Sequence, residues 1–341
     1  MLFVRPVSIK DLDALMHISE VIGGGMSTMP KDAKVWEKKI ADSVHSFNSP
    51  PNIRDSGSYF MVAEDSENGK IVGTTAIYVG IGTVLPFFSY KLNTLVKYSQ
   101  DLGKTAEIKV LNLVNDFTRA TEIGSLYLDE SYRHSGYGQF MSRCRYLLMA
   151  DFPERISDNV IAEMRGWIAP EGYSPFWRSL GKKFFNLPFA YASGLSAVKG
   201  NQFIQDLMPK YPVYVDLLSE EAQQCIGKPH NVSARAIRML EKEGFRYDGY
   251  VDVFDAGPVV HCRREQIQSV RDAKIYTAKI TNDIKDNKQR YIISNRNIEH
   301  YRIIIQVANL CDNIAEITAE SAEVLGLKSG DKVNLVAIAE K

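Results

Sequence analysis

Arg133, Gly136 and Gly138 stand in the spacing R-x-x-G-x-G, between the apolar run 123–128 and a helical pattern carrying Phe140, Cys144, Leu147 and Leu148. Glycines at a strand-to-helix turn let backbone N–H groups converge on an anion, and the helix N-terminus adds the positive end of its dipole. Arg133 adds a charge-assisted hydrogen-bond donor. Together they suit a pyrophosphate. The plainer reading is a tight turn, since loops with two glycines are common. A dinucleotide fingerprint does not fit: it needs G-x-G-x-x-G in an early βαβ unit, whereas this loop opens on Arg133 and follows more than a hundred residues.

Acid–base chemistry asks for a group that titrates near neutrality. His230 follows Pro229 in a loop ahead of a helical pattern at 233–243, and an unperturbed imidazole has a pKa near 6.5. Such a group typically contributes about 10²- to 10⁴-fold in rate. Five other histidines are present, and a lone histidine is more often surface or hydrogen-bonded structure, so residue type alone does not single out His230. The glycine loop Gly23-Gly24-Gly25-Met26-Ser27-Thr28 is a further candidate contact, beside its reading as a flexible turn.

Positioning these groups falls to a strand-rich chain. An apolar run at 2–7 precedes a capping-box pattern at Ser8 and Asp11, then Leu12, Leu15, Met16 and Ser19 at helical spacing. β-Branched and aromatic runs at 59–64 and 71–79 flank turn residues at 65–70, which predicts a hairpin. Residues 81–120 have no clean period; strands are predicted at 123–128 and 160–165. FWRSLGKKFF (176–185) and ARAIRMLEKEGFRY (234–247) both read as a helix ending in Gly, then an aromatic strand. The charge-rich stretch 263–288 reads as a linker or exposed strands, and 301–341 alternates short β-type runs with Gly326 and Ser329-Gly330-Asp331. Two units are expected: 1–255 as a mixed α/β sheet and 256–341 as a small β-barrel.

With 341 residues, 45% hydrophobic and 24% charged, the chain can bury a sizeable core. Lys and Arg together number 41, as do Asp and Glu, so no overall field selects nucleic acid or an anionic membrane. Cys144, Cys225, Cys262 and Cys311 are scattered, without metal-ligand spacing or a disulfide framework. No metal is expected. No stretch approaches the roughly 20 apolar residues of a membrane span, and the N-terminus meets charge within five residues, with no apolar signal core. The expectation is a cytoplasmic protein.

The order of these features resembles the GNAT superfamily of acyl-CoA N-acyltransferases. Arg5-Pro6 opens a strand and helix, a hairpin follows, then the central strand with its R-x-x-G-x-G loop, and later Glu241-Lys242-Glu243-Gly244-Phe245 at a helix end. More narrowly, the chain resembles the arginine N-succinyltransferase family. The resemblance rests on GGGMSTMP (23–30), EIGSLYLDESYRHSGYG (122–138), VIAEMRG (160–166), GYSPFWRSLGKKFF (172–185), LMPKYPVY (207–214), IGKPH (226–230) and EKEGFRYDGYVDVFDAGP (241–258). LGLKSGDKV (325–333) fits that family's small β-barrel.

The resemblance implies transfer of a succinyl group from succinyl-CoA, a co-substrate, to the α-amine of L-arginine, with no tightly bound cofactor. It assigns proton donation to His230, a succinyl-CoA contact to Leu126, and the CoA pyrophosphate to the loop of Arg133, Gly136 and Gly138. The backbone N–H near Leu126 then becomes an oxyanion donor, while its side chain packs the thioester arm or the core. Glu163 and Arg165, alternating with Ala162 and Met164, are candidates for reading the guanidinium and the succinyl carboxylate, as are Asp252 and Asp255. Each also reads plainly as a solvated charge or structural ion pair. Ser125 stands where relatives can carry Thr, and His134 and Tyr137 occupy variable loop positions; neither separates arginine from ornithine. The alternatives are an ornithine or dual-specificity N-succinyltransferase subunit and a non-catalytic CoA-binding subunit. A homo-oligomer or a related second subunit is compatible with either.

Overall fold

The computed structural model describes the chain apart from residues 24, 25, 27, 52–55, 200, 201, 283, 285–288 and 339–341. In chain order its strands are β1 (Leu2–Pro6), β2 (Gly57–Asp65), β3 (Ile71–Val79), β4 (Ser89–Ser99), β5 (Lys104–Val114), β6 (Thr121–Leu128), β7 (Asn159–Glu163), β8 (Val213–Tyr214), β9 (Arg246–Asp252) and β10 (Pro258–Arg263). Six more follow: β11 (Lys274–Thr281), β12 (Arg290–Ser294), β13 (Ile303–Val307), β14 (Asn309–Cys311), β15 (Ile314–Thr318) and β16 (Lys332–Ala337). They form one sheet in the order β14-β15-β11-β16-β12-β13-β1-β2-β3-β6-β7-β10-β9-β4-β5-β8. The β6–β7 and β11–β15 pairs are parallel, which makes the sheet mixed.

Alternation along β2 decides which helices cover which face. Phe60 and Val62 join Leu15 and Ile18 of α1 (Leu12–Ile22) and Trp36 and Ile40 of α2 (Ala33–Asn48). Tyr59, Met61 and Ala63 instead join Phe140, Cys144, Leu147 and Leu148 of α3 (Tyr137–Asp151). The approach to α1 is fixed by Asp11, which accepts the Ser8 N–H at 2.8 Å and two guanidinium N–H groups of Arg5, each at 2.8 Å. That is the capping box read at Ser8 and Asp11, with Arg5 closing it.

The hairpin expected from 59–64 and 71–79 is β2–β3, and the strand expected at 160–165 is β7. Residues 234–247 form helix Ala234–Lys242 and the start of β9. FWRSLGKKFF differs from its expectation: it forms two short helices, Pro175–Ser179 and Gly181–Phe185. Gly181 is there for packing, because a Cβ on it would lie 2.3 Å from the Trp177 ring. Residues 81–120, which lacked a period, hold the β4–β5 hairpin; its outer half is exposed on both strands, so no core face imposes an alternation.

The small C-terminal barrel does not appear as a closed unit. β11–β16 continue the main sheet through β1 and β13, where Phe3 lies opposite Ile304 and is buried with Ile293 and Leu335. The edge of β13 that closure would use is taken by β1. Strand β10, beyond the expected boundary at 256, lies between β7 and β9. The charge-rich 263–288 stretch holds helix Gln268–Asp272 and β11. Asp151, the last residue of α3, fastens the later strands: it accepts from Ser294 Oγ (2.5 Å), Tyr301 OH (2.6 Å), Asn334 Nδ2 (2.9 Å) and Arg296 Nε (3.1 Å). Among the described residues no helix is long and apolar enough to cross a membrane.

Candidate active site

β6 and β7 run parallel but pair only at Thr121↔Val160 and Glu122↔Ile161. On its other side β6 pairs with β3, and there the register shifts: Gly124 faces Ala76 and Tyr127 faces Thr74, so Ser125 and Leu126 together oppose Thr75. This is a β-bulge, which bends the strand and takes backbone groups out of the ladder. Ser125 holds a left-handed φ of 51°, uncommon without glycine. Its hydroxyl donates to Thr28 Oγ1 at 2.9 Å and lies 2.7 Å from the Tyr78 hydroxyl, while its carbonyl accepts from Thr74 Oγ1 at 2.7 Å. Beyond Glu122 and Ile161 the two parallel strands are no longer paired, which leaves a wedge that the bulge borders. Leu126 stands there, its half-buried side chain packed on the α3 core cluster and its backbone in the bulge. Of the glycine loop, Gly24, Gly25 and Ser27 lie outside the described residues.

The loop after β6 forms the strand-to-helix turn that the glycine spacing predicts. Ser135 and Gly136 are consecutive left-handed residues at φ 50° and 79°, and Gly136 caps the N-terminus of α3 without any side-chain cap. Gly136 is therefore the position that needs positive φ. Gly138 lies in the first helical turn, and a Cβ there would meet nothing within 4 Å, so its missing side chain keeps the helix end open. Arg133 folds back from the loop: Nε donates to the Leu128 carbonyl at 3.0 Å and Nη1 lies 3.4 Å from Glu130.

His230 comes from a distant segment and is delivered by backbone pairing. Trp167 N–H donates to the Lys228 carbonyl at 3.0 Å, Gly166 bridges Pro229, and His230 N–H donates to the Arg165 carbonyl at 2.8 Å. Its Nδ1 accepts the Val232 N–H at 3.3 Å, so the neutral ring carries its proton on Nε2. Burial holds the imidazole pKa below its usual value, helped by the Arg165 charge and opposed by Asp255.

Carboxylates gather on the same strands. Glu122 lies opposite Ile161, two residues before Glu163; Glu163 lies opposite Val259, itself opposite Tyr250, two residues before Asp252. A two-residue period sets Glu122, Glu163 and Asp252 on one face. Asp252 accepts the N–H groups of Phe254 (2.7 Å) and Asp255 (2.9 Å), and buried Asp255 accepts those of Gly166 and Gly257 at 2.8 Å each. Burial raises the Glu163 pKa well above the ordinary carboxylate value, and the charges of Asp252, Glu122 and Asp255 add to it. Burial and Asp255 do the same to Asp252, and burial pushes Glu122 up to about 7 against the pull of Lys39. Such a group is relieved by a cation. Glu163, Asp252 and Asp255 were legible as candidates; Glu122 was not, because nothing but its place beside Ile123 marked it. Among the described residues no group of three or more His, Cys, Asp or Glu is arranged to hold a metal ion.

A family model described as arginine N-succinyltransferase beta subunit matches residues 2–269. An arginine N-succinyltransferase of Escherichia coli (strain 55989 / EAEC) is 36% identical over 338 residues, which cover 99% of this chain and 98% of that protein. The chain belongs to the arginine N-succinyltransferase family. Another arginine N-succinyltransferase, of Yersinia pseudotuberculosis serotype IB (strain PB1/+), is 38% identical over 344 residues, again 99% of this chain and 98% of that one. The structure of arginine/ornithine succinyltransferase subunit AI from Pseudomonas aeruginosa matches with a TM-score of 0.90 at 33% identity, over 100% of this chain and 99% of that chain. This arginine N-succinyltransferase family member thus shares its relatives' architecture along its whole length, the C-terminal strands included.

Proposed function

We propose that the chain transfers the succinyl group of succinyl-CoA to the α-amine of L-arginine, giving N2-succinyl-L-arginine and free CoA. The observation that carries this reading is the 36–38% identity, over 99% of the chain, to proteins named for that activity. The site residues add a consistent chemistry. The loop at Gly136 and Gly138 takes the CoA pyrophosphate, and the thioester lies in the wedge beside Leu126, where a backbone N–H freed by the bulge stabilises the tetrahedral oxyanion.

The acceptor enters against Glu122, Glu163 and Asp252, whose suppressed charges a cationic substrate restores. Glu163 takes a proton from the α-ammonium, the amine nitrogen attacks the thioester carbon, and the C–S bond breaks. His230 in its protonated form delivers a proton from Nε2 to the departing thiolate. Two protons leave the α-ammonium in all, the second passing from the nitrogen of the tetrahedral adduct to solvent, and one reaches the sulfur, so the reaction releases one net proton; solvent then resets both groups. No tightly bound cofactor is called for.

We also propose two units along the chain, 1–255 and 256–341, with β10 pairing back onto β7 and β9 of the first. A cytoplasmic setting agrees with four free cysteines. The test is thiol release from succinyl-CoA with L-arginine, L-ornithine and L-lysine in parallel, and with acetyl-CoA as the rival donor. Succinyl-CoA with L-arginine is expected to be fastest. Equal turnover with acetyl-CoA, or faster turnover with L-ornithine, overturns the assignment and leaves the fold untouched.

A further inference from the structure

The anion-binding loop has a neighbour that its own segment does not supply. Arg290, the first residue of β12, sends Nη1 to the carbonyl of Ser135 at 2.6 Å, and the same nitrogen lies 3.7 Å from where a Cβ on Gly136 would stand. The backbone of Arg290 is held on three sides. It pairs with Val307 of β13, and its carbonyl accepts both the Ile338 N–H and the Gln289 side-chain amide at 2.9 Å. A guanidinium has five N–H donors, and one carbonyl uses one of them. No carboxylate among the described residues lies within ion-pair distance of Arg290.

The other arginines of this region are committed elsewhere. Arg133 is turned back to Leu128 and Glu130. Arg143, on α3, bonds Ser269 at 2.7 Å, the Ala337 carbonyl at 2.9 Å and Glu243 at 3.0 Å. A cation fixed to a strand, touching a left-handed turn at a helix N-terminus and keeping donors to spare, is arranged for a phosphate oxygen.

We propose that Arg290 completes the CoA site from the C-terminal strands, its remaining N–H groups binding a phosphate of the ADP moiety. The proposal rests on the acyl-CoA reading given above. It gives β11–β16 a part in donor binding: the strand that holds Arg290 is anchored to α3 through Ser294 and Asp151. Two phosphates share this chemistry, the pyrophosphate and the 3′-phosphate of the ribose.

The experiment compares wild type, Arg290→Ala, Arg290→Gln and Arg290→Lys with three donors: succinyl-CoA, succinyl-dephospho-CoA and S-succinylpantetheine, which has no phosphate. Arg290→Ala is expected to raise KM for succinyl-CoA on the order of tenfold or more, with kcat at saturation little changed and kcat/KM for S-succinylpantetheine unaltered. Arg290→Gln, which keeps a donor for Ser135 without the charge, is expected to share the defect, and Arg290→Lys to recover part of it. A penalty that persists with succinyl-dephospho-CoA assigns the pyrophosphate; one that vanishes assigns the 3′-phosphate. An unchanged KM in folded Arg290→Gln, or an equal loss with S-succinylpantetheine, overturns the role of Arg290 while wild-type turnover keeps the acyl-CoA reading. Failure of the wild type to bind CoA overturns both.

Discussion

The backbone N–H of His230 donates to the carbonyl of Arg165 at 2.8 Å, and that contact ties a histidine from a remote loop to the segment that follows β7. Arg165 is four residues past Ile161, and Leu126 is four residues past Glu122, the partner of Ile161 in the last β6–β7 pair. His230 is therefore tied to the segment that continues β7, two residues past the end of that strand. Its position depends on main-chain pairing, which substitution of the imidazole leaves in place.

His230→Ala is accordingly expected to fold and to lose kcat by roughly 10²-fold or more. KM for succinyl-CoA should change little, because the proposed pyrophosphate site is the loop of Gly136. A parallel loss in kcat and kcat/KM marks an interaction made in the transition state. The proposed donor is the protonated ring, and burial lowers its pKa from 6.5. The kcat/KM profile of the wild type should thus have a limb that falls as pH rises, displaced to the acid side of 6.5 and missing from the variant. A normal kcat with an unchanged profile would return His230 to a structural role.

Glu163→Gln should separate stability from activity. The folded carboxyl titrates above its unfolded value of about 4.5, so its stability contribution is full below that value and is lost as pH rises through the folded pKa. Removing the charge is expected to leave the melting temperature unchanged near pH 4 and to raise it near pH 8. The same variant should lose about 10²- to 10⁴-fold in kcat/KM for L-arginine. Melting curves with and without L-arginine check the cause: the amino acid should stabilise wild type at pH 8 and the variant much less. A variant less stable than wild type at pH 8 contradicts the picture of crowded carboxylates.

These features were unevenly legible in the sequence. The hairpin β2–β3 could be read from two β-branched and aromatic runs about a turn, and α3 from Phe140, Cys144, Leu147 and Leu148 at helical spacing, although β2 and α3 are buried on more than one face. β4–β5 could not, since its outer half faces water on both sides. The loop of Arg133, Gly136 and Gly138 was legible as glycines at a strand-to-helix turn, but the direction of the Arg133 side chain was not, because the competing Leu128 carbonyl is a backbone feature. The carboxylate face depends on pairings among β6, β7, β10 and β9, and Arg290 reaches Ser135 across 155 positions of chain. Contacts of that kind leave no local spacing to read.

The two loop glycines should respond differently to the same substitution. Gly136→Val places a β-branched residue at φ 79°, where an L side chain costs roughly 1–2 kcal/mol. Gly138→Val meets open space and replaces a poor helix former in the first turn of α3. The expected result is a lower melting temperature for Gly136→Val alone and weaker succinyl-CoA binding for both, since each new side chain stands at the proposed phosphate site. Calorimetry giving wild-type affinity in folded Gly138→Val would move the pyrophosphate away from this helix end.

The last prediction concerns Asp151, which joins α3 to the C-terminal strands. Its carboxylate accepts four hydrogen bonds, from Ser294, Tyr301, Asn334 and Arg296, and these donors come from β12, β16 and the β12–β13 connection. Burial holds the carboxyl above its ordinary pKa even with those donors in place, so the tie is specific and its desolvation is costly. Asp151→Ala leaves the Arg296 charge without its partner and buried hydroxyl groups without an acceptor, a loss of about 3–5 kcal/mol. Asp151→Asn retains one carbonyl acceptor and a similar shape, and should lose less. In urea unfolding the midpoint should fall in the order wild type, Asn, Ala, with the slope unchanged if the chain still unfolds in one step. A separate early transition in Asp151→Ala, leaving the α3 core folded, would mean that this carboxylate is what couples the C-terminal strands to the rest of the sheet. An alanine variant with the wild-type midpoint would leave that coupling to the β1–β13 pair, where Phe3 faces Ile304.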